Sequence, residues 1–342
     1  MLARLIACLA LVVLGWGGAH AKDKVTIAVA SHGFLNVPAF VASELGYLAE
    51  EGIEPEFVLI NSGAKMIAAV LGGNVDLCIS TPAAAFRARE KGQDALVIGT
   101  DVTQFAIDVV VTQDWAKKTG VTPASSYQQK LAALRGIQIG ISSAGSGTDQ
   151  LVRFLAKEAG LNADKDMTIV PVGSHETGLA SFMQARIDGY ATSQPGGDKA
   201  VRDMNGVMLL NLSRGEVKAF DGFLFNAVIA TQSWAEKKPD LAVRFLRAMQ
   251  KALTALHDDA LTLKARDAVH AKYQNKMPKD VYDHLWTEML LSYPRSIALD
   301  EPMMRRVSEF LSAFDRKPIE PATLATAWTN LYAEKALSSL KR

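Results

Sequence analysis

Short segments of small and hydroxyl-bearing residues follow the predicted strands of this sequence and come directly before predicted helices. They occupy residues 31–36, 61–63, 80–82 and 142–148. Hydroxyl groups and the unpaired N–H groups of a helix start are hydrogen-bond donors, and the helix start also carries a partial positive charge. Such loops meet at the carboxyl edge of a parallel sheet, so we expect them to form one shared site for an anionic group.

The segment 142–148 is the most suggestive of these loops, because its small residues let the backbone close on an anionic group. It does not match a nucleophile elbow, since Gly-x-Ser-x-Gly is out of register. Gly145 and Gly147 lack the third glycine of a dinucleotide-binding loop, and no Gly-Lys-Ser/Thr follows them. The alternative is a plain strand-to-helix turn. We therefore predict no catalytic residue and no cofactor.

Two histidines, His32 and His175, lie in predicted strand-end loops of the two halves of the chain. They would face each other across a cleft and donate to an anion, or they are ordinary solvent-facing loop residues. The sequence has no His-x-x-x-His pair and no cysteine cluster, so we predict no metal site.

Strand-like and helix-like segments alternate along the first two thirds of the chain, which predicts an α/β fold with parallel sheets. The predicted strands cover 25–30, 57–60, 75–79, 95–99, 137–141, 168–171 and 187–192. The remaining tail is predicted to be mostly helical, with its clearest helices over 240–256 and 323–340.

The two halves overlay with one constant offset along the sequence. Ser62 falls on Ser174 at a strand-to-helix turn, and Asp76 falls on Asp188 at the start of a strand. Two aspartates in equivalent positions of a repeat indicate a repeated structural role more than a catalytic pair of carboxylates. We therefore expect two similar α/β lobes.

Two extended segments, 105–112 and 223–231, come after the first and the second half. Two crossings of this kind are typical of a discontinuous lobe with an inserted second lobe. We expect residues 22–104 plus 224–342 to form lobe I, and residues 105–223 to form lobe II.

The composition excludes several classes of protein. The chain has 342 residues, 49% of them apolar and 21% charged, with a formal charge of +1. A disordered chain needs lower hydrophobicity and a higher net charge. A nucleic-acid-binding protein needs an excess of basic residues that is absent here, so we predict no nucleic-acid partner.

The first residues have the pattern of a secretory signal peptide. Arg4 precedes an apolar run over 5–14, and Ala19-His20-Ala21 is a small-residue cleavage pattern. Cleavage after Ala21 removes residues 1–21 and leaves a mature chain of balanced charge with Cys78 as its single cysteine. We therefore predict export to the periplasm and no intramolecular disulfide.

Several motifs, in this order and spacing, resemble the periplasmic solute-binding proteins of ABC importers for nitrate, sulfonates, taurine and thiamine-pyrimidine precursors. They are Glu-Leu-Gly-Tyr-Leu-Ala-Glu-Glu-Gly-Ile over 44–53, Gly-Asn-Val-Asp over 73–76, Gly-Ile-Gln-Ile-Gly over 136–140, Ser-Gly-Thr over 146–148 and Asn-Leu-Tyr-Ala-Glu-Lys-Ala-Leu over 330–337. The resemblance covers nearly the whole mature chain.

This resemblance implies a type-II periplasmic binding protein fold, in which two lobes with mostly parallel, helix-flanked sheets are joined by a two-crossing hinge. It also implies a small-molecule ligand in the cleft, an ABC permease and its ATPase in the inner membrane as partners, and no chemistry. We expect a monomer. The matching positions, the polar loops and the two histidines together give these expected ligand contacts: Ser31, His32, Phe34, Asn36, Ser62, Gly63, Ser80, Thr81, Ser143, Ser146, Gly147, Thr148, His175, Ser193 and Gln194.

Other interpretations of the same residues stay open at this point. The expected solute is an organic anion such as a sulfonate or a carboxylate, but a neutral heteroaromatic ring would suit Phe34, Phe105 and Tyr190. An enzyme on the same fold would need a nucleophile–base pair or a perturbed carboxylate in the cleft. A binding protein that serves a sensor or another kind of transporter would have the same sequence features.

Overall fold

The computed structural model describes residues 22–314 and 319–341. The predicted signal peptide lies outside the described residues. None of the helices in these two ranges combines the length and the apolar character needed to cross a membrane.

Two five-stranded sheets form the framework of the molecule. The first sheet contains β1 (Asp23–Val29), β2 (Ile53–Leu59), β3 (Leu77–Ser80), β4 (Ala95–Gln104) and β10 (Asp221–Thr231). The second sheet contains β5 (Asp108–Val111), β6 (Gln138–Ile141), β7 (Thr168–Pro171), β8 (Gly189–Thr192) and β9 (Val207–Leu210). The strands predicted from the sequence are present with shifted bounds, whereas β9 was not predicted.

The two sheets have the same topology. Their strand orders are β2-β1-β3-β10-β4 and β7-β6-β8-β5-β9. β1 is parallel to β2 and β3, and β6 is parallel to β7 and β8. The fourth strand of each sheet, β10 or β5, is antiparallel to both neighbours. The expected pair of mostly parallel, helix-flanked sheets is confirmed.

Helices cover both sheets and form the C-terminal tail. They are α1 (Val37–Glu44), α2 (Tyr47–Glu50), α3 (Gly63–Leu71), α4 (Pro82–Glu90), α5 (Gln113–Thr119), α6 (Tyr127–Ala132), α7 (Gly147–Glu158), α8 (His175–Met183), α9 (Gly196–Met204), α10 (Gln232–Lys237), α11 (Pro239–Leu256), α12 (Asp259–Tyr273), α13 (Lys279–Met289), α14 (Glu301–Phe314), α15 (Pro321–Thr326) and α16 (Leu331–Leu340).

The repeated aspartates have the structural role that the overlay predicted. Asp76 accepts hydrogen bonds from the backbone N–H of Thr26 (3.0 Å) and from its hydroxyl (2.9 Å). Asp188 accepts one from the backbone N–H of Gln138 at 2.9 Å, at the equivalent place in the second sheet. Each carboxylate therefore joins the strand that follows it to the first strand of its own sheet.

The prediction of one continuous helix over 323–340 is wrong, because the chain forms α15 and α16 with a break between them. At the break, the N–H of Val97 donates to the carbonyl of Ala327 (2.9 Å), and the N–H of Thr329 donates to the carbonyl of Val97 (3.0 Å). The segment thus lies along the outer edge of β4, where its backbone groups bond to a strand instead of to the next helical turn.

The ring of Phe105 lies in an aromatic cluster beside the connection between β4 and β5. Its centroid is 4.5 Å from that of Phe220, 5.3 Å from Phe223 and 4.8 Å from Phe225. Phe105 is therefore a core residue where the chain passes between the sheets, and it does not line the cavity described below.

Candidate functional site

A cavity of about 920 Å³ lies between the carboxyl ends of the strands of the two sheets. The loops that follow β1, β2 and β3 line one side, and the loops that follow β6, β7 and β8 line the other. The expected contact residues that line it are Ser31, His32, Ser62, Gly63, Ser80, Thr81, Ser146, Gly147, Thr148, His175 and Ser193. Residues from both halves of the repeat are thus brought together in one place.

Four expected contact residues do not line this cavity. Phe34 is 1% exposed and stacks on Tyr282 with 5.2 Å between ring centroids. Asn36 is buried and donates from Nδ2 to the carbonyl of Ser31 at 2.9 Å. The remaining two are Ser143, whose neighbour Ser142 lines the cavity instead, and Gln194.

The side chain of Gln194 is held inside the second sheet. Its Nε2 donates to Asp108 Oδ2 at 2.8 Å, and its Oε1 accepts from the N–H of Asp198 at 3.0 Å. Asp108 also accepts from the N–H (3.0 Å) and the hydroxyl (2.9 Å) of Ser213. Burial raises the pKa of Asp108 to about 6, although these hydrogen bonds and nearby Arg214 act in the opposite direction.

On the first-sheet side, hydroxyl groups at two helix starts are not used to cap their own helices. Ser62 precedes α3 and Thr81 precedes α4, and neither side chain accepts a hydrogen bond from its helix. Ser80 is 2% exposed, and its Oγ has no hydrogen-bond partner among the residues that the structure describes. A Cβ placed on Gly63 would lie 3.0 Å from that Oγ. Ser80 Oγ is therefore beside the start of α3, at the cavity wall.

On the second-sheet side, the hydroxyl groups bond to one another. Thr148 Oγ1 accepts from the N–H of Ser142 (2.9 Å) and lies 2.8 Å from Ser146 Oγ. Asp149, which is 5% exposed, accepts from the N–H of Gly145 at 2.7 Å. The loop 142–148, which the sequence marks as the strongest anion site, thus already holds a carboxylate of the protein.

His175 lies at the start of α8, with both ring nitrogens near hydroxyl groups. Nδ1 is 3.2 Å from Thr192 Oγ1, and Nε2 is 3.4 Å from Ser193 Oγ. Burial lowers the pKa of His175, against the opposing influence of Glu176. The imidazole is therefore neutral at neutral pH and lines the cavity as a polar group without charge.

His32 lies against aromatic rings on the first-sheet side. Its ring centroid is 5.9 Å from that of Phe40 and 5.3 Å from that of Tyr273. Burial lowers the pKa of His32. Because neither histidine carries charge at neutral pH, the hypothesis of two histidines clamping an anion has no support from charge.

One lining segment was not recognised in the sequence. The end of α12 and the residues after it line the cavity with Tyr273, Gln274, Asn275 and Lys276. Gln274 Nε2 donates to the carbonyl of His32 at 2.6 Å, which joins this segment to the first-sheet side. No local pattern singles it out, because a polar helix end in a charged tail is ordinary.

The two sides of the cavity touch each other directly. The N–H of Phe34 donates to the carbonyl of Gln194 at 3.4 Å. A Cβ placed on Gly147 would lie 2.9 Å from Phe225 Cζ and 3.5 Å from Thr81 Cγ2. A side chain at Gly147 would therefore keep the start of α7 away from β10.

Among residues 22–314 and 319–341, no group of three or more His, Cys, Asp or Glu side chains is placed to hold a metal ion. The lining contains hydroxyl groups, amides, two neutral imidazoles and one exposed residue of each charge, Lys276 and Glu176. These side chains offer hydrogen-bond donors and acceptors to a small molecule in the cavity.

Comparison with known proteins agrees with this geometry. The sequence profile of the NMT1-like family matches residues 18–269. The chain belongs to the NMT1-like family. No curated protein sequence gives a significant match.

Solved structures with the same fold include a protein from Bordetella bronchiseptica RB50, at 20% identity and a TM-score of 0.79 over 94% of this chain and 99% of that chain. The periplasmic nitrate-binding protein NrtA from Synechocystis PCC 6803 is 12% identical with a TM-score of 0.72, over 94% of this chain and 89% of that chain. The periplasmic aliphatic sulphonate binding protein SsuA from Escherichia coli is 15% identical with a TM-score of 0.67, over 90% of this chain and 92% of that chain. The resemblance to periplasmic solute-binding proteins of ABC importers is thus confirmed for family and fold.

Proposed function

We propose that this protein is the solute-binding component of an ABC importer and captures a small organic anion, such as a sulfonate or a carboxylate, in the cavity between its two sheets. The observation that carries the proposal is the cavity itself, which both halves of the repeat line with helix starts and hydroxyl groups. The family match and the fold shared with a sulphonate-binding and a nitrate-binding protein support it.

The two sheets would act as lobes that close on the solute. We propose residues 22–104 plus 224–342 as lobe I and residues 105–223 as lobe II. The chain passes between the sheets only through the segments β4–β5 and β9–β10 in the described part, which is the connectivity of a hinge. Contacts such as Phe34 N to Gln194 O would then form on closure.

The preference for an anion rests on hydrogen-bond donors and not on net charge. The residues before α3 and α4 do not cap these helices with their side chains, and Ser80 Oγ has no hydrogen-bond partner in the described part of the chain. We propose that the mature protein works as a monomer in the periplasm after cleavage behind Ala21, delivers its solute to a permease with its ATPase in the inner membrane, and performs no chemistry.

Isothermal titration calorimetry of the purified mature chain with a panel of small sulfonates, carboxylates, nitrate and neutral heteroaromatic compounds tests the proposal. We expect one class of anion to bind with one-to-one stoichiometry and to reduce the radius of gyration in small-angle scattering. If a neutral ring binds and no anion does, the anionic substrate class is overturned. Turnover of a bound compound would instead favour an enzyme.

A further inference from the structure

The helix starts that face the cavity differ in charge between the two sides. On the first-sheet side, α3 and α4 have no acidic residue in the first turn. On the second-sheet side, α7, α8 and α9 each have one, namely Asp149, Glu176 and Asp198. An acidic side chain in the first turn offsets the positive end of its own helix. Only the first-sheet side keeps that positive potential for a ligand.

The two sides of the cavity also differ in whether their hydrogen-bonding groups are free for a ligand. Ser80 Oγ is buried, lacks a hydrogen-bond partner within residues 22–314 and 319–341, and lies next to the start of α3, so it is free to donate to a ligand atom. On the opposite side, Gly145 N–H and the hydroxyls of Ser146 and Thr148 are already engaged. Ser143 Oγ has no partner in the same part of the chain, but Ser143 does not line the cavity. A ligand oxygen at Ser146 or Thr148 would have to displace bonds within the protein.

The exposed charges of the lining follow the same division. Lys276 follows α12, and its neighbour Gln274 is bonded to His32 on the first-sheet side. Glu176 lies in the first turn of α8 on the second-sheet side. A hydrogen bond from Ser174 and one from its own backbone N–H lower the pKa of Glu176, so this carboxylate is ionised at neutral pH.

We propose that the solute binds with its acidic group against Ser80 and the starts of α3 and α4, and that the Glu176 carboxylate on the second-sheet side excludes a second acidic group. The ligand class is then a monoanion whose far end is neutral or cationic. This inference rests on the proposed function and adds an orientation and a charge rule to it.

Two sets of probes with a constant acidic head and a variable far end test the rule by calorimetry on the mature chain. The sulfonate set is propanesulfonate, homotaurine and propanedisulfonate, and the carboxylate set is butyrate, γ-aminobutyrate and glutarate. We expect the doubly acidic member of the set that binds to be at least about tenfold weaker than the singly acidic member, because like charges in a partly desolvated site repel.

Two substitutions locate the effect. Glu176→Gln should strengthen binding of the doubly acidic probe about threefold and that of the singly acidic probe less, since the charge of exposed Glu176 is all that changes and the single acidic group lies at the opposite wall. Ser80→Ala should weaken every member of the set about tenfold. Ser193→Ala, the comparison variant on the opposite wall, should weaken the singly acidic probe less than Ser80→Ala does.

Equal affinities for singly and doubly acidic probes would overturn the orientation and leave the proposed function intact. The same holds if Ser193→Ala weakens the singly acidic probe more than Ser80→Ala does. If no member of either set binds, the charge rule is overturned. The proposed function is overturned as well only if the wider panel of solutes also fails to bind.

Discussion

The first and second sheets share one topology but not one chemistry. Both sheets have the same strand order and an antiparallel fourth strand. In each sheet an aspartate, Asp76 or Asp188, bonds to the first strand, so the framework is the same in both. The loops at the cavity are not the same. Ser80 Oγ on one side has no hydrogen-bond partner among the described residues, whereas on the other side Ser146 and Thr148 bond to each other and Gly145 N–H bonds to Asp149. Duplicating a fold therefore places two sets of helix starts face to face, and a few residues in the first turns decide which set is left for the ligand.

The largest expected effect follows from placing a larger side chain in the cavity on its first-sheet side. Gly63→Val places methyl groups beside Ser80 Oγ, because a Cβ at Gly63 already lies 3.0 Å from it. We expect affinity for the bound monoanion to fall about 1,000-fold, or about 4 kcal/mol, by calorimetry. Circular dichroism should show an unchanged fold.

The control for this variant is Gly145→Asn in the second-sheet loop. Gly145 has a φ of +75°, a conformation that asparagine tolerates, and a side chain there would meet no atom within 4 Å. It should lose less than about threefold in affinity. A comparable loss in both variants would mean that the two sides contribute equally to binding.

Two buried carboxyl groups, one in β4 and one in β5, should affect the pH dependence of stability differently. Neither oxygen of Asp101 in β4 has a hydrogen-bond partner in the described part of the chain, and burial raises the pKa of Asp101 well above its usual range. The pKa of Asp108 in β5 is raised to about 6. A raised pKa in the folded state favours folding at low pH, and this stability is lost as the pH rises through the folded value.

We therefore expect the stability of the wild-type protein, relative to Asp108→Asn, to fall by about 3 kcal/mol as the pH rises from about 3 to about 8. Asp101→Asn should change stability little at neutral pH, since an amide resembles a neutral carboxyl. Urea unfolding across this pH range measures both. A wild-type curve parallel to that of Asp108→Asn would show that the Asp108 pKa is not raised.

The repeated aspartates should differ in strength. Asp76 accepts from Thr26 and from the indole N–H of Trp234 (2.8 Å), whereas the hydrogen bond described for the Asp188 side chain is the one from Gln138. We expect Asp76→Ala to lower the free energy of unfolding by about 3 kcal/mol and Asp188→Ala by about 1 kcal/mol. Parallel urea titrations of the two variants measure the difference, and equal values would contradict it.

The smallest effect concerns the carboxylate inside the second-sheet loop. Asp149→Asn keeps an acceptor for Gly145 but removes the charge that pairs with Arg153 at 2.9 Å. We expect a loss of about 1 kcal/mol in stability and about a twofold gain in affinity for the doubly acidic probe. Calorimetry and thermal unfolding of the same sample check both. A weaker doubly acidic probe would show that Asp149 does not oppose a second acidic group.

Much of the framework was predictable, because strands, helix starts and the internal offset are local or periodic signals. The position of Ser62 and Ser174 directly before a helix and the structural role of the two aspartates follow from the overlay alone. The tail was harder to predict, since the break before α16 depends on Val97, which lies far away in the sequence.

The loops that form the site were predicted from the sequence, but the hydrogen bonds and charges within those loops were not. Sequence spacing brings Ser142, Ser146 and Thr148 into one loop, but it cannot show that their hydroxyls bond to each other. It also cannot show that Asp149 turns back onto Gly145. The side chain of Gln194 is committed to Asp108, a contact that only the three-dimensional structure reveals.

The position of β10 has a consequence for the order of folding. The strands of the second sheet are contiguous in the chain, from β5 to β9, whereas the first sheet lacks the strand between β3 and β4 until β10 joins. Pairings between residues so far apart in sequence form slowly. Because Phe225 and Asn226 of β10 line the cavity, the ability to bind solute should be the last property to return during refolding.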